Sequence, residues 1–362
     1  MQLLVSHIKE ISLTQFRNYS HATFHLDARV VCITGQNGVG KTNLLDAVYF
    51  LCYTKSYFTG YQQQLVQFGT EGFRVEGVFE NDGMDEKVNC KWKNGKKEIH
   101  QNDILCEQLR DYIGKHTAVM IAPDDIELIN EGSEVRRKWV DGILAQSDKS
   151  YFDSLMKYQQ ALLQRNAWLK ANAVKAFQSF AQLEFYDKIL IAAGDYIFRA
   201  RVAFLNTFLP LFETYYATLS DHAESIAIDY QSQLQQSSME ILLRDSLAND
   251  LLLQRTLKGV HKDDFIFNIN QNQLKQFGSQ GQKKSYLFAL KLAQYQYLKK
   301  KTGNTPIILL DDVFEKLDSK RLNALWQIVL SNDFGQVLIT DTEVNRLKQV
   351  AMLDASIKYV SI

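Results

Sequence analysis

The chain has 362 residues, 46% of them hydrophobic, with 41 basic and 41 acidic side chains and a formal net charge of zero. That length allows two domains, or one large domain carrying an insertion, and the apolar fraction is ample for a substantial core. There is no apolar run of about 18 residues to span a membrane and no signal-peptide pattern at the start, and Cys32, Cys52, Cys90 and Cys106 have neither metal-site spacing nor disulfide-scaffold density, so the expected compartment is the cytoplasm.

Residues 5–34 read as strands, first through Ile11, Leu13 and Phe16, then through Thr23-Phe24-His25-Leu26. Phe16-Arg17-Asn18-Tyr19 is turn-like, and its Arg17 is either an ordinary surface arginine or a group that reaches a nucleotide. The apolar run Val30-Val31-Cys32-Ile33-Thr34 enters Gly35-Gln36-Asn37-Gly38-Val39-Gly40-Lys41-Thr42-Asn43, and Leu44, Leu45, Ala47 and Val48 follow at helical spacing. Strand, glycine-rich turn and helix form the setting of a phosphate-binding loop. The glycines let successive backbone N–H groups converge on a polyphosphate, and the helix N-terminus adds positive potential. In such a loop Lys41 reaches the β- and γ-phosphates of ATP and the Thr42 hydroxyl ligates Mg²⁺. The run Gln62-Gln63-Gln64 is either a plain polar loop or a switch loop that touches Mg²⁺ or water.

Residues 65–100 form a β-rich stretch, with the Asn94-Gly95 hairpin signal between Lys91, Trp92 and Lys93 on one side and Lys96 and Lys97 on the other. Those four lysines suit a phosphate backbone, where charge supplies affinity rather than base choice, or equally a solvated rim. Pro123-Asp124-Asp125, Gly132-Ser133 and then Arg136, Arg137 and Lys138 come next. The arginine pair either meets DNA or holds Asp or Glu neighbours. No proline interrupts the chain from there to Pro210, and across 150–208 apolar side chains recur at helical spacing, giving two long antiparallel helices about a polar link near 170–178. After Pro210 the pattern shortens: a strand at Ile226, Ile228 and Tyr230, a helix over Leu242–Leu253, and a strand at Phe265, Phe267 and Ile269.

The C-terminal part returns to α/β grammar, with strands at Ile307–Leu310 and Val337–Thr340, a helix between them, and a final helix and edge strand. The expected divisions are 1–110 and 251–362 as two halves of one ATPase domain, with a mostly helical insertion over 111–250. The strand at Ile307–Leu310 ends in Asp311-Asp312. Ligands gather beyond the carboxyl ends of such strands, so Asp311 is placed to hold Mg²⁺ beside Thr42, and Asp312 to orient the attacking water or accept its proton. Phe277-Gly278-Ser279-Gln280-Gly281-Gln282 opens another helix, and Ser279, Gly281 and that N-terminus make a second phosphate cradle. One protomer cannot easily apply both cradles to the same γ-phosphate face. Two protomers are therefore expected, each presenting Ser279 and Gly281 to nucleotide held by the other, with Leu317-Asp318 at the same interface.

The glycine loop, Ser279-Gln280-Gly281-Gln282, Asp311-Asp312 and Leu317-Asp318 resemble the head ATPases of the ABC class in the branch related to SMC proteins. Phe16-Arg17-Asn18-Tyr19, Pro123-Asp124-Asp125, Gly132-Ser133 with Arg136-Arg137, Tyr158, Arg165-Asn166, Gly259-Val260-His261-Lys262-Asp263-Asp264 and Leu310-Asp311-Asp312-Val313-Phe314 narrow the resemblance to the RecF family of bacterial recombination mediators. The resemblance implies an α/β ABC-type head with a parallel sheet, an N-terminal β-rich subdomain and a mostly helical inserted domain. It implies a slow, DNA-dependent ATPase that forms an ATP-dependent homodimer on double-stranded DNA at gaps or single-strand/double-strand junctions. With RecR and RecO, such proteins help load RecA in gap repair and the SOS response. By residue, it implies Lys41, Thr42 and their loop on phosphate and Mg²⁺, and Asp311 on the metal. It further implies Asp312 as the catalytic acid residue, Ser279, Gly281 and Gln282 completing the partner's site, Arg17 on the nucleotide, and Asp318 coupling protomers. ABC ATPases usually carry Glu where Asp312 stands, and a switch histidine where this chain reads Thr340-Asp341. The neutral net charge concentrates the expected DNA contacts on Lys91, Lys93, Lys96 and Lys97, with Arg136 and Arg137. Two other readings, a transporter's nucleotide-binding subunit and a structural DNA-bridging SMC-like protein, are disfavoured by the long insertion and missing histidine and by the shortness of the helices.

Overall fold

A computed structural model of the chain describes residues 4–81, 83–172, 180–220, 224–313, 319–342 and 357–362. They fall into two compact units, Met1–Ile126 with Thr214–His222 and Lys284–Ile362, and Glu127–Glu213 with Ala223–Lys283.

The first unit is built on two sheets. Its parallel sheet has the strand order Ile357–Ser361, Val30–Thr34, Val337–Asp341, Ile307–Leu310, Ala118–Ile121. All of its runs except Ile357–Ser361 are buried at every position, which is why they read as continuous apolar stretches rather than alternating ones. The sheet begun at Val30 continues with Ala118–Ile121, earlier than the sequence pattern expects, and then with Ile307–Leu310 and Val337–Asp341, while Ile357–Ser361 lies on an edge. The final helix expected from the pattern lies outside the described residues.

The second sheet is mainly antiparallel: Asn304–Thr305, Leu4–Phe16, Gly72–Asn81, Met84–Lys93, Lys96–Gln101 and Ile104–Leu105 in order, with Tyr19–His25 also paired to Leu4–Phe16. Its inward residues and the helix Lys41–Tyr53 share one core containing Ile11, Leu13, Phe16, Phe50, Phe73 and Val75. Gln336, 2% exposed, pins the two sheets together. Its Nε2 donates to the carbonyls of Ile8 and Leu26 at 2.9 and 2.6 Å, and its Oε1 accepts from the Ile8 N–H at 2.8 Å. A fully satisfied buried amide of this kind fixes register as well as adding stability.

The second unit carries the helices Ser133–Ser147, Lys149–Asn172 and Met239–Leu253, and most of Ala181–Ser220. The last helix differs from expectation at Pro210, where the chain continues helically to Ser220. An internal proline costs about 3 kcal/mol, but Phe204, Phe208 and Phe212 lie on one ridge at four-residue spacing and are almost wholly buried. Burying two or three aromatic side chains offsets the lost backbone bond. A three-stranded sheet completes the unit, with Asp264–Ile269 between Ile226–Gln231 and Asn272–Gln273. That pairing carries the unit past residue 250 to Lys283, and the burial of Ala118–Ile121 in the parallel sheet carries the first unit past residue 110. Contacts therefore divide the chain at different points from 110/111 and 250/251.

Candidate functional site

The phosphate loop has the backbone its glycines allow. Gly38 and Gly40 have φ of 83° and 120°, where L side chains are strained. A Cβ at Gly40 would sit 2.6 Å from the Tyr19 hydroxyl and 2.7 Å from the Asn18 amide. Both are working contacts: Tyr19 donates to the Gly40 carbonyl at 3.0 Å and Asn18 Nδ2 to the Val39 carbonyl at 2.7 Å. Asn43 Nδ2 donates to Asn18 Oδ1 at 2.7 Å, closing a clasp of the Phe16–Tyr19 turn over the loop. The motif Phe16-Arg17-Asn18-Tyr19 therefore braces the loop through residues that the sequence reading did not assign.

Lys41 Nζ donates to the carbonyls of Gly35 and Gln36 at 2.8 and 3.0 Å, curling the ammonium over the loop. Gln36, Asn37 and Gly38 are exposed, with Gly35 and Val39 half-buried, so the loop's concave side is open. Thr42 Oγ1 lies 3.0 Å from both Asp311 oxygens. Thr340, on the neighbouring strand, donates to Asp311 Oδ1 at 2.9 Å and accepts from the Asp312 N–H at 3.0 Å. Strand order accounts for the meeting, because Val337–Asp341 lies between Val30–Thr34 and Ile307–Leu310 and all three end on the same side. Thr340 stands near the position the sequence associates with γ-phosphate sensing, and here it holds the Asp311 carboxylate and the Asp312 backbone. Asp312 has φ 45°, an uncommon backbone for a non-glycine residue and one that cocks the chain as it leaves the strand.

Burial pushes the Asp311 carboxyl up to about 6, with the hydrogen bonds from Thr340 and Thr42 and the Lys41 charge opposing that rise and the Asp312 charge adding to it. A hydroxyl and a carboxylate are hard oxygen donors, the set Mg²⁺ takes, and a divalent cation here would hold Asp311 ionised. Among the described residues no cluster of three or more His, Cys, Asp or Glu side chains could enclose a metal ion. Such sparse protein ligation suits an ion that keeps several waters and phosphate oxygens.

Arg17 pairs with the helix that follows the loop. Its guanidinium donates to Asp46 Oδ2 at 2.7 Å and to Ser56 Oγ at 3.2 Å, while its buried Nε has no partner. The glutamine run forms a short 3₁₀ turn, Gln62–Leu65, with Gln64 bonded to Thr59 and Gln62 to the Thr54 carbonyl.

The second cradle lies in the other unit. Ser279 is exposed, its Oγ accepts from the Gln282 N–H at 3.2 Å, and its own N–H donates to Gln282 Oε1 at 2.6 Å. This reciprocal capping box opens the helix Gln280–Thr302, with Gly281 in its first turn. Asp318 lies outside the described residues.

The four hairpin lysines separate by face. Lys91, Lys93 and Lys96 are exposed, Lys93 paired with Glu71 at 3.1 Å, while Trp92 points inward and stacks on Phe73. Lys97 is half-buried, its Nζ donates to the Thr54 carbonyl and hydroxyl at 2.9 and 3.2 Å, and burial lowers its pKa. Arg136 is buried and bidentate on Asp264 at 2.8 and 2.9 Å, and Arg137 donates to the Asp263 carbonyl at 2.6 Å. Of the two roles open for that arginine pair, the geometry is that of an internal brace. The same holds for Arg165, which joins Asp187, Asp250 and Thr256.

Comparison with known proteins agrees with this architecture. Residues 7–359 match the family model described as the RecF/RecN/SMC N terminal domain. The chain is similar to the DNA replication and repair protein RecF of Flavobacterium johnsoniae, 39% identical over 345 residues that cover 95% of this chain and 96% of that protein. It is 37% identical to the RecF of Bacteroides fragilis over 95% of this chain and 92% of the relative. Among solved structures, the recombination mediator protein RecF with ATP, from the RecFOR pathway, superposes with TM-score 0.87 at 30% identity, covering 94% of this chain and 92% of that one. The Smc head of Pyrococcus furiosus, at 14% identity and TM-score 0.55 over 98% and 93% of the two chains, shares the fold.

Proposed function

The chain belongs to the RecF family, and on that premise we propose that it is an ATP-driven clamp on double-stranded DNA that serves replication and repair at gap junctions. The single observation that carries the ATPase half is the convergence of Lys41, Thr42, Asp311, Thr340 and Asp312 at one end of the parallel sheet. Backbone N–H groups of residues 35–42 and the Lys41 ammonium would bind the polyphosphate. Bound Mg²⁺ would supply charge neutralisation of the phosphates, held through Thr42 and Asp311.

The remaining chemistry is positioning. Thr340 keeps Asp311 and Asp312 in fixed orientation, and Asp312 takes the proton of the attacking water or aligns it. An aspartate reaches one methylene less far than the glutamate common in this class, which suits a slow timer better than a fast motor.

Ser279, Gly281 and Gln282 complete the site of a second copy, so ATP would be bound between two chains. Pairing would bring two copies of the hairpin, with Lys91, Lys93 and Lys96, onto duplex DNA. RecR and RecO are the proposed partners and RecA loading the outcome, in keeping with the pathway to which the ATP-bound RecF relative belongs. A structural DNA-bridging role without mediator activity is the second reading.

The test is ATP turnover and oligomeric state, each with and without gapped duplex. The clamp reading expects ATP-dependent pairing and turnover that rises several-fold on gapped DNA. Turnover indifferent to DNA, with a chain that stays single in ATP, would contradict it.

A further inference from the structure

A chain of buried polar groups in the first unit leads away from the phosphate loop and is not needed to hold ATP. It starts at Asp46, fully buried one turn beyond Thr42 on the helix Lys41–Tyr53. Asp46 Oδ2 takes Arg17 at 2.7 Å and Ser56 Oγ at 2.7 Å, and Oδ1 takes the Tyr57 N–H at 2.7 Å. The Tyr57 hydroxyl in turn donates to Asp125 Oδ1. Lys291 Nζ donates to that same Asp125 oxygen at 2.8 Å and to the Tyr57 hydroxyl at 2.6 Å, and its charge lies 5.1 Å from the centre of the Tyr57 ring. Asp125 Oδ2 accepts from the Ala122 N–H at 2.7 Å, so both carboxylate oxygens are used.

Lys291 is 3% exposed and Asp125 9%. An ion pair this deep gains little net stability over apolar side chains of similar volume, because desolvation of both charges offsets their attraction. Its value is directional: it fixes three chain segments in one geometry. Those segments are the Tyr57 stretch tied to the phosphate-loop helix, the 3₁₀ turn Pro123–Ile126 that ends the first part of this unit, and the helix Gln280–Thr302.

We propose that Tyr57, Asp125 and Lys291 form a buried bolt that holds the 284–302 part of the helix Gln280–Thr302 to the Tyr57 stretch tied to the phosphate-loop helix, making Asp125 and Lys291 positioning residues for ATP hydrolysis. The inference rests on the ATPase reading above. Without the bolt the phosphate loop still binds ATP, but the phosphate-loop helix is no longer held in one geometry, and the loss falls on turnover rather than on affinity.

The experiment compares the wild type with Asp125→Leu/Lys291→Leu, an apolar pair chosen to keep the fold, and with Lys291→Arg, which keeps the charge. Thermal melting, fluorescent ATP binding under non-pairing dilution, and steady-state turnover are read on each. The expected result for the double variant is a melting temperature within a few degrees of wild type, an ATP Kd within about threefold, and kcat lowered at least tenfold. Lys291→Arg is expected to recover part of the lost kcat. A double variant that folds and turns over at the wild-type rate overturns the proposal alone. If the double variant does not fold, Lys291→Arg and Lys291→Met decide by the same ratio of kcat to Kd, and equal losses in both quantities overturn it. Wild-type protein that binds ATP and never hydrolyses it removes the ATPase reading, and the bolt's role falls with it.

Discussion

At the scale of single residues, the site depends on Thr340 as much as on the pair of aspartates it orients. The Thr340 hydroxyl donates to Asp311 Oδ1 at 2.9 Å and accepts from the Asp312 backbone N–H at 3.0 Å, tying the Asp311 carboxylate to the backbone of the next residue. In the proposed mechanism Asp312 acts on the attacking water rather than on the phosphates. Asp312→Asn is thus expected to leave ATP affinity within about threefold and to lower turnover by a hundredfold or more, trapping the ATP-bound pair. Size-exclusion chromatography in ATP, run beside a phosphate-release assay, reads both effects; normal turnover would take Asp312 out of its assigned role. Lys41, Thr42 and Asp311 were legible because strand, glycine turn and strand-end carboxylate each leave a sequence signature. Asn18 and Tyr19 as the loop's clasp were not, since a side chain bonding a carbonyl of the glycine loop leaves no periodicity or spacing to read. Asp46, Tyr57 and Lys291 were missed for the opposite reason: they sit inside apolar helical or aromatic stretches and look like interruptions of a core.

At the scale of elements, periodicity located the strands around the phosphate loop and Asp311 and the long helices, left the helix Ser133–Ser147 unassigned, and failed instructively at two other places. Ala118-Val119-Met120-Ile121 is a four-residue buried strand, too short for an alternating pattern and equally consistent with buried helix. Pro210 was a stop signal to local reasoning, but the aromatic ridge of Phe204, Phe208 and Phe212 carries the helix through it. The hairpin at Asn94-Gly95 formed as its turn chemistry dictates, yet equal weight on its four lysines does not survive the geometry. Replacing Lys91, Lys93 and Lys96 by Gln is expected to weaken duplex binding about tenfold or more and flatten its salt dependence. Lys97→Gln alone should leave the salt slope unchanged and lower stability instead, because its Nζ is spent on Thr54. Fluorescence anisotropy across a salt series separates the two, and unchanged affinity in the triple variant would move the DNA face elsewhere.

The inserted unit also contains a pH-sensitive joint. His261 is half-buried, its Nδ1 meeting the Tyr158 hydroxyl at 2.8 Å and its Nε2 the Thr256 carbonyl at 3.1 Å. That arrangement suits neutral imidazole, with Nε2–H donating and Nδ1 accepting, and burial pulls the pKa from 6.5 down to about 4. The folded state therefore binds fewer protons than the unfolded chain between pH 6.5 and 4. Stability from this group is present above about pH 6.5 and is lost as pH falls toward 4, by up to roughly 3 kcal/mol. His261→Gln is expected to lower stability near pH 7 and to make the loss between pH 6.5 and 4 shallower. Urea titrations at stepped pH measure it, and parallel wild-type and variant curves would contradict the assignment.

At the scale of the whole molecule, the two proposed phosphate cradles belong to different compact units, Lys41 to the first and Ser279 to the second. The residues that carry the resemblance in the inserted unit, Arg136, Arg165, Asp263 and Asp264, are largely used in holding that unit together. With a neutral net charge, the proposed clamp would draw its DNA affinity from pairing, which doubles a modest basic face. Whether two chains share one ATP was legible only as an inference from the presence of two cradles, since a sequence specifies its own fold and is silent on distances between copies.

Asn37 and Ser279 are both exposed, and three of the four native cysteines are buried, which permits a direct measurement once Cys106 is replaced by Ser. Asn37→Cys is placed on one tagged chain and Ser279→Cys on another, and the two are mixed with a short bis-maleimide, gapped duplex and ATP or ADP. A crosslink between the differently tagged chains that forms in ATP and not in ADP is the expected result. Absence of any inter-chain crosslink, in protein shown to hydrolyse ATP under the same conditions, would contradict a nucleotide site shared by two copies.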